Sequence, residues 1–194
     1  MTAIKLYQRE LAVEYARRWA LSRNPLFRDF SGRGGNCTNF VSQCILAGSC
    51  TMNGTPTYGW YYRSESDRAP AWTGVEALFN FLTGVPEFEE ANGGVGPYAV
   101  TVRDPFALAG DVVQLGDADG TYYHSLLITG RTGNELLVSA HSDDALDRPL
   151  STYSFTTKRI LHLVGVRVPY PGDTCFEALI AGEALPAVRY PAEM

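Results

Sequence analysis

The chain has 194 residues, 45% of them hydrophobic and 19% charged, with 16 basic against 21 acidic side chains and a formal net charge of −5. That length suits one packed domain over residues 1–194, and the composition is that of an ordinary soluble globular protein. An acidic chain with no basic run is a poor partner for nucleic acid, and no apolar stretch reaches the roughly 18 residues that a membrane span requires.

The first residues, Met1-Thr2-Ala3-Ile4-Lys5, lead into a charged helix rather than the apolar core of a signal peptide. This reads as cytoplasmic, although a trimmed extracellular sequence would look the same. From Lys5 to Leu21, Tyr7, Leu11, Tyr15 and Trp19 recur every four residues beside Ala12, Ala16 and Ala20, the pattern of an amphipathic helix. Asn24-Pro25 ends it, and a loop from Leu26 to Gly35 delivers the chain to Asn36-Cys37-Thr38-Asn39-Phe40-Val41-Ser42-Gln43-Cys44. Asn36 is a good N-cap, so a second helix is expected to begin there and to stop at Gly48. Cys37 then sits in the first turn, where unpaired N–H groups and the helix dipole favour a negatively charged atom. The competing reading makes Cys37 a small apolar residue on one face with Phe40, Val41, Cys44 and Ile45.

Residues 50–71 are rich in Gly, Pro, Ser and Thr but carry Tyr58, Trp60, Tyr61 and Tyr62, which suggests an ordered loop packed by aromatic rings. Thr73-Gly74-Val75-Glu76 has capping-box spacing, and Val75, Leu78, Phe79 and Leu82 form a third helical stripe ending near Gly84. After Pro86 the period changes. Strands are expected at 98–102, 111–115, 122–129, 135–140 and 159–168, with no helical pattern between them, so the sheet is largely antiparallel and the fold class is α+β. Asp117-Ala118-Asp119-Gly120 reads as a turn, and residues 174–184 as a short helix in a proline-rich tail.

The four cysteines, at 37, 44, 50 and 175, are not spaced as a disulfide framework or as paired zinc ligands. Cys37 and Cys44 lie about 10 Å apart along one helix at 1.5 Å per residue, too far to bridge. No metal or cofactor is expected. A nucleophilic cysteine needs a base, and the base needs a group to orient it. A hairpin turning on Thr132-Gly133 would set His124 directly across from His141, bringing two imidazoles onto one face; a slip of one residue would separate them. Asp143 and Asp144 are alternatives for the third role, set against the plainer reading of a turn. His162, amid Ile160, Leu161, Leu163 and Val164, reads as structural.

Cys37, Gly110-Asp111-Val112-Val113-Gln114-Leu115, His124-Ser125 and His141-Ser142-Asp143-Asp144, in that order, resemble the putative amidase domain family, itself related to NlpC-type peptidases and CHAP amidases in the papain-like group. The resemblance covers about residues 7 to 155, including Tyr15-Ala16-Arg17-Arg18-Trp19-Ala20, Trp60-Tyr61-Tyr62 and Trp72-Thr73-Gly74. It implies a papain-like or NlpC-like fold with N-terminal helices packed on a C-terminal antiparallel sheet, in which Cys37 attacks, His124 is the base and His141 orients it. Relatives often carry Asp where this chain has Asn36. Asn36, Asn39, Trp60, Tyr61 and Trp72 are candidates for the substrate cleft. The function so implied is hydrolysis of an amide through a thioacyl intermediate, on a peptide such as a peptidoglycan stem peptide. Two alternatives are a non-catalytic peptide- or glycan-binding module with an aromatic groove and a transglutaminase-like acyltransferase. The oligomeric state is left open.

Overall fold

The computed structural model of the protein describes residues 3–169 and 174–185. In chain order these form β1 (Ala3–Lys5), α1 (Arg9–Trp19), α2 (Asn36–Ser49), α3 (Pro70–Thr73), α4 (Val75–Thr83), α5 (Pro86–Asn92), β2 (Gly96–Val102), β3 (Val112–Gly116), β4 (Tyr122–Thr132), β5 (Glu135–Ala140), β6 (Ala145–Pro149), β7 (Thr157–Val168) and α6 (Phe176–Ala181). The strands make one sheet in the order β1-β7-β3-β4-β5-β6, with β2 on the other edge of β7. Every pairing is antiparallel, so the α+β class holds.

Alternation along the strands divides the core in two. Val112, Leu127, Leu161 and Leu163 join α1, α2 and the buried rings of Tyr15, Phe40, Trp60 and Trp72. Val113, Leu115, Leu126, Ile128, Val138 and Ile160 face the other way and are covered by Leu150, with Tyr153 and Phe155 packed against them. One buried carboxylate ties α1 to this sheet. Asp111, fully buried, accepts hydrogen bonds from the backbone N–H groups of Leu108 (2.9 Å) and Leu163 (3.0 Å), pairs with Arg9, and lies 2.9 Å from Nδ1 of His162. Arg9 also donates to the carbonyl of Leu163. Burying that charge is tolerable only because it is paired and hydrogen-bonded on every side. His162 thus has the structural setting that its sequence context suggests.

Several local expectations are corrected. Ala3–Lys5 is a strand on β7, so the first helix starts four residues later than its apolar period suggests. α2 runs one residue past Gly48 and closes on Cys50 in the left-handed region. Thr73 is the last residue of α3 and Gly74 the N-cap of α4, so the apparent capping box does not cap. The helix α5 and the strand β6, both short, carry too few apolar positions to show a period. The proline-rich tail expected around α6 falls largely outside the described residues.

The cysteine reading also needs correcting. Cys50, at the C-terminal end of α2, is disulfide-bonded to Cys175 at the N-cap of α6, 125 positions further along the chain. Sequence spacing could not show this, because the partners are brought together only by α6 docking on α1 and α2, where Trp19 donates to the carbonyl of Ile180. Replacing Cys50 and Cys175 together with alanine is expected to lower unfolding free energy by about 2–5 kcal/mol. Urea unfolding of the double variant against the oxidised parent measures this, and an unchanged midpoint would contradict a clamping role.

Candidate active site

The turn that delivers Cys37 is built on Gly35. Its φ is +87°, and a Cβ there would lie 2.9 Å from the carbonyl oxygen of Thr73. Only glycine meets both conditions, so Gly35 takes the N-cap position and Asn36 becomes the first helical residue, correcting the capping role expected of Asn36. The freed carboxamide does something else. Asn36 Oδ1 accepts from the N–H of Phe30 and from Asn39 Nδ2, both at 3.1 Å, and Nδ2 donates to Ser31 Oγ at 3.1 Å. The same Nδ2 faces His141 Nδ1 at 3.5 Å.

Cys37 follows, 5% exposed, with its sulfur 3.8 Å from Thr38 Oγ1. Thr38 Oγ1 lies 3.1 Å from Ser125 Oγ on β4, and Ser125 also accepts from Gln114 Nε2 on β3. Asn39 donates to the carbonyl of Arg28 and accepts from Trp72 Nε1, which fixes the entering loop and α3 to the same helical turn. Cys37 therefore stands between two anchors, Asn36 reaching His141 and Thr38 reaching Ser125.

His141, just past β5, is 1% exposed, and its ring stacks on Phe40 of α2 with centroids 4.1 Å apart. Its Nε2 is 2.9 Å from the carbonyl oxygen of Trp19. A carbonyl only accepts, so Nε2 carries the hydrogen and the neutral ring leaves Nδ1 bare. Burial pulls the His141 pKa below the usual histidine range; the Trp19 carbonyl opposes this, Arg23 adds to it, and Asp144 and Asp29 oppose it. Burial thus favours the neutral form of the ring.

His124 is elsewhere. It pairs across the sheet with Leu115, a member of the core cluster remote from α2, beside a bulge in β4, and its ring lies 6.0 Å from that of Tyr153. Burial lowers its pKa, with the charge of Asp143 pulling the other way. The expected opposition of the two histidines is not formed. The loop is Gly133–Asn134 between the pair Thr132 and Glu135, and a bulge near Thr129 leaves Leu127 opposite Ser139. Continued along the strands, that register sets His141 across from Ser125. Among the described residues no hydrogen bond joins the Cys37 sulfur to either imidazole, or one imidazole to the other.

The remaining candidates sort by burial and partner. Asp144 holds Arg23 through two 2.9 Å contacts and Asp143 holds Arg148 at 2.8 Å; neither bonds a histidine. Trp60 and Trp72 are fully buried, with ring centroids 5.0 Å apart, and Trp60 Nε1 donates to Ser42 Oγ. Rings sealed in this way are core, a correction to their reading as cleft walls. Tyr61 is buried as well, with the guanidinium of Arg63 over its ring. Sequence reasoning did not single out Thr38, Ser125 or the Trp19 carbonyl. A backbone acceptor leaves no residue signature, but the hydroxyls of Thr38 and Ser125 lie inside motifs that were read only for their neighbours.

The family model described as "Putative amidase domain" matches residues 6–164. Two curated proteins of Bacillus subtilis (strain 168) are similar. "Uncharacterized protein YhbB" is 33% identical over 144 residues, which are 72% of this chain and 42% of that protein. "Uncharacterized protein YjcM" is 27% identical over 156 residues, 76% of this chain and 34% of that protein. The chain thus spans less than half the length of either relative. No solved structure matches it.

Replacing Gly35 with alanine is expected to cost more stability than replacing Gly32, which also has positive φ but has open space around its Cβ position. Gly32→Ala should lose about 1 kcal/mol, and Gly35→Ala measurably more because a backbone oxygen stands in the way. Equal losses in urea unfolding would contradict the steric account of the turn.

Proposed function

Because the chain belongs to the putative amidase domain family, we propose that it is a cysteine amidase or peptidase, with Cys37 attacking the carbonyl of an amide and water releasing the acyl group. The observation that carries this reading is the position of Cys37 in the first turn of a buried helix whose flanking residues reach a histidine on one side and the start of β4 on the other. Unpaired N–H groups at that turn are suited to stabilising a thiolate and the oxyanion that follows its attack. The other free thiol, Cys44, is fully buried, and burial pushes its pKa well up, which suits an inert core residue.

A helix bearing the nucleophile against an antiparallel sheet is the arrangement expected of papain-like and NlpC-like hydrolases, and this supports placing the domain among them. The two histidines of the sequence motifs supply the candidates for the base. A peptide substrate, such as a peptidoglycan stem peptide, fits the amide chemistry. The Cys50–Cys175 disulfide favours an oxidising compartment outside the cytoplasm as the place of action. The binding-module alternative is weakened, since of the rings named for its groove, Tyr58, Trp60, Tyr61, Tyr62 and Trp72, the two tryptophans are sealed in the core.

Brief treatment with iodoacetamide at neutral pH, followed by peptide mapping, should place the label on Cys37 at least tenfold faster than on Cys44. Cys37→Ala should abolish both that labelling and release of amine from peptide amides. Equal reactivity of the two thiols would overturn the assignment.

A further inference from the structure

Resting on the reading of Cys37 as nucleophile, we propose that His141, and not His124, takes the proton from the Cys37 thiol, with the backbone carbonyl of Trp19 as the third member of the catalytic group. Three observations converge on this. The first is the side of the sheet. Ser125 faces α2 and reaches Thr38, whereas His124 pairs with Leu115 of the far cluster and sits beside Tyr153. The second is the ring's placement. His141 stacks on Phe40, one helical turn beyond Cys37, and its Nδ1 points at the residue preceding Cys37. The third is the tautomer. Nε2–H is committed to the Trp19 carbonyl at 2.9 Å, so the free lone pair is on Nδ1, the atom nearest the helix N-terminus.

A base in such a group needs one nitrogen bare towards the nucleophile and the other held by an acceptor. In His141 the Nε2–H is held by the Trp19 carbonyl and Nδ1 lies against Asn36, the residue preceding Cys37, without a second histidine. The Asn36 carboxamide acts as a positioning residue. At 3.5 Å its Nδ2–H holds the neutral ring only weakly, and once Nδ1 is protonated two donors face each other and that contact is lost.

The steps balance as follows. The thiol proton passes to His141 Nδ1, giving a thiolate and an imidazolium whose Nε2–H remains on the Trp19 carbonyl. The sulfur bonds to the amide carbon and the carbonyl electrons move to oxygen. As the intermediate collapses the C–N bond breaks, and Nδ1 returns its proton to the leaving amine. Water then gives a proton to Nδ1 while its oxygen bonds to the acyl carbon; the C–S bond breaks and the proton returns to sulfur. The charges facing the ring are Arg23, from the loop after α1, Asp29, from the loop before α2, and Asp144, between β5 and β6. Trp19, Asn36 and Phe40 contribute no charge.

The test is the rate of Cys37 capture by iodoacetamide between pH 5 and 9. In the parent protein, rapid capture should persist below pH 7. His141→Gln can still donate an N–H towards Trp19 but cannot take a proton, so capture at pH 6 should fall at least tenfold; in His124→Gln it should stay within twofold. A tenfold loss in His124→Gln, or no loss in either variant, would overturn the assignment while leaving Cys37 as the nucleophile. Capture of Cys37 no faster than Cys44 in the parent would instead overturn the nucleophile reading. Should His141→Gln fail to fold, NMR titration of the parent decides. Carboxamidomethylation of Cys37 should shift the titration of the His141 ring and leave that of His124 in place, and the reverse pattern would refute the proposal.

Discussion

The buried carboxamide of Asn36 is the contact on which the rest of the candidate site depends. It holds the entering loop through Phe30 and Ser31, the first turn of α2 through Asn39, and the ring of His141. A polar side chain with no exposure is tolerated only when its hydrogen-bonding capacity is met, and each group left bare would cost about 1–3 kcal/mol. That requirement fixes the entering loop against the first turn of the helix, while the end of β5 is held chiefly by the bond from His141 Nε2 to the Trp19 carbonyl. The position of Cys37 follows from it. An aspartate here would bring a charge beside Nδ1 and would lose the two N–H donors that Asn36 directs at Ser31 and His141.

Strand alternation sets the second constraint. β3 and β4 present alternate residues to two cores, so Ser125 and Leu127 share the face that meets α2 while Leu126 and Ile128 look away. On such a sheet, adjacent residues of a motif do different work. His124 and Ser125 stand side by side in sequence, yet one packs near Tyr153 and the other bridges to the helix that bears Cys37. The far end of the same face is secured by Asp111, whose carboxylate joins α1, β7 and the loop before β3.

Much of this was legible in the sequence because it depends on local rules. The four-residue recurrence of Tyr7 to Trp19 marked α1, Asn36 marked the start of α2 although Gly35 takes the cap, Gly84 closed α4 in the left-handed conformation, and the runs from Tyr98 onward marked antiparallel strands. What the sequence withheld was register and long-range pairing. The loop at Gly133–Asn134 and the bulge near Thr129 together make Ser125 rather than His124 the partner of His141, and nothing in Gly130 to Asn134 distinguishes the two loops. The Cys50–Cys175 bond depends on a helix docking 125 residues away. The Trp72 ring, which the motif invited one to read as a cleft wall, is placed by Asn39 and buried against Phe27 and Trp60. Aromatic content alone does not tell a core ring from a groove wall.

The most direct test of the account is the protonation of the His141 ring in the Cys37→Ala variant, which has no thiol proton to give, read from its nitrogen shifts by long-range proton–nitrogen NMR at pH 7. The account predicts a neutral ring with hydrogen on Nε2 and a bare Nδ1, because burial lowers the pKa and the Trp19 carbonyl accepts from Nε2. A ring carrying its hydrogen on Nδ1, or one that is doubly protonated at that pH, would point a donor at Asn36 and contradict the account.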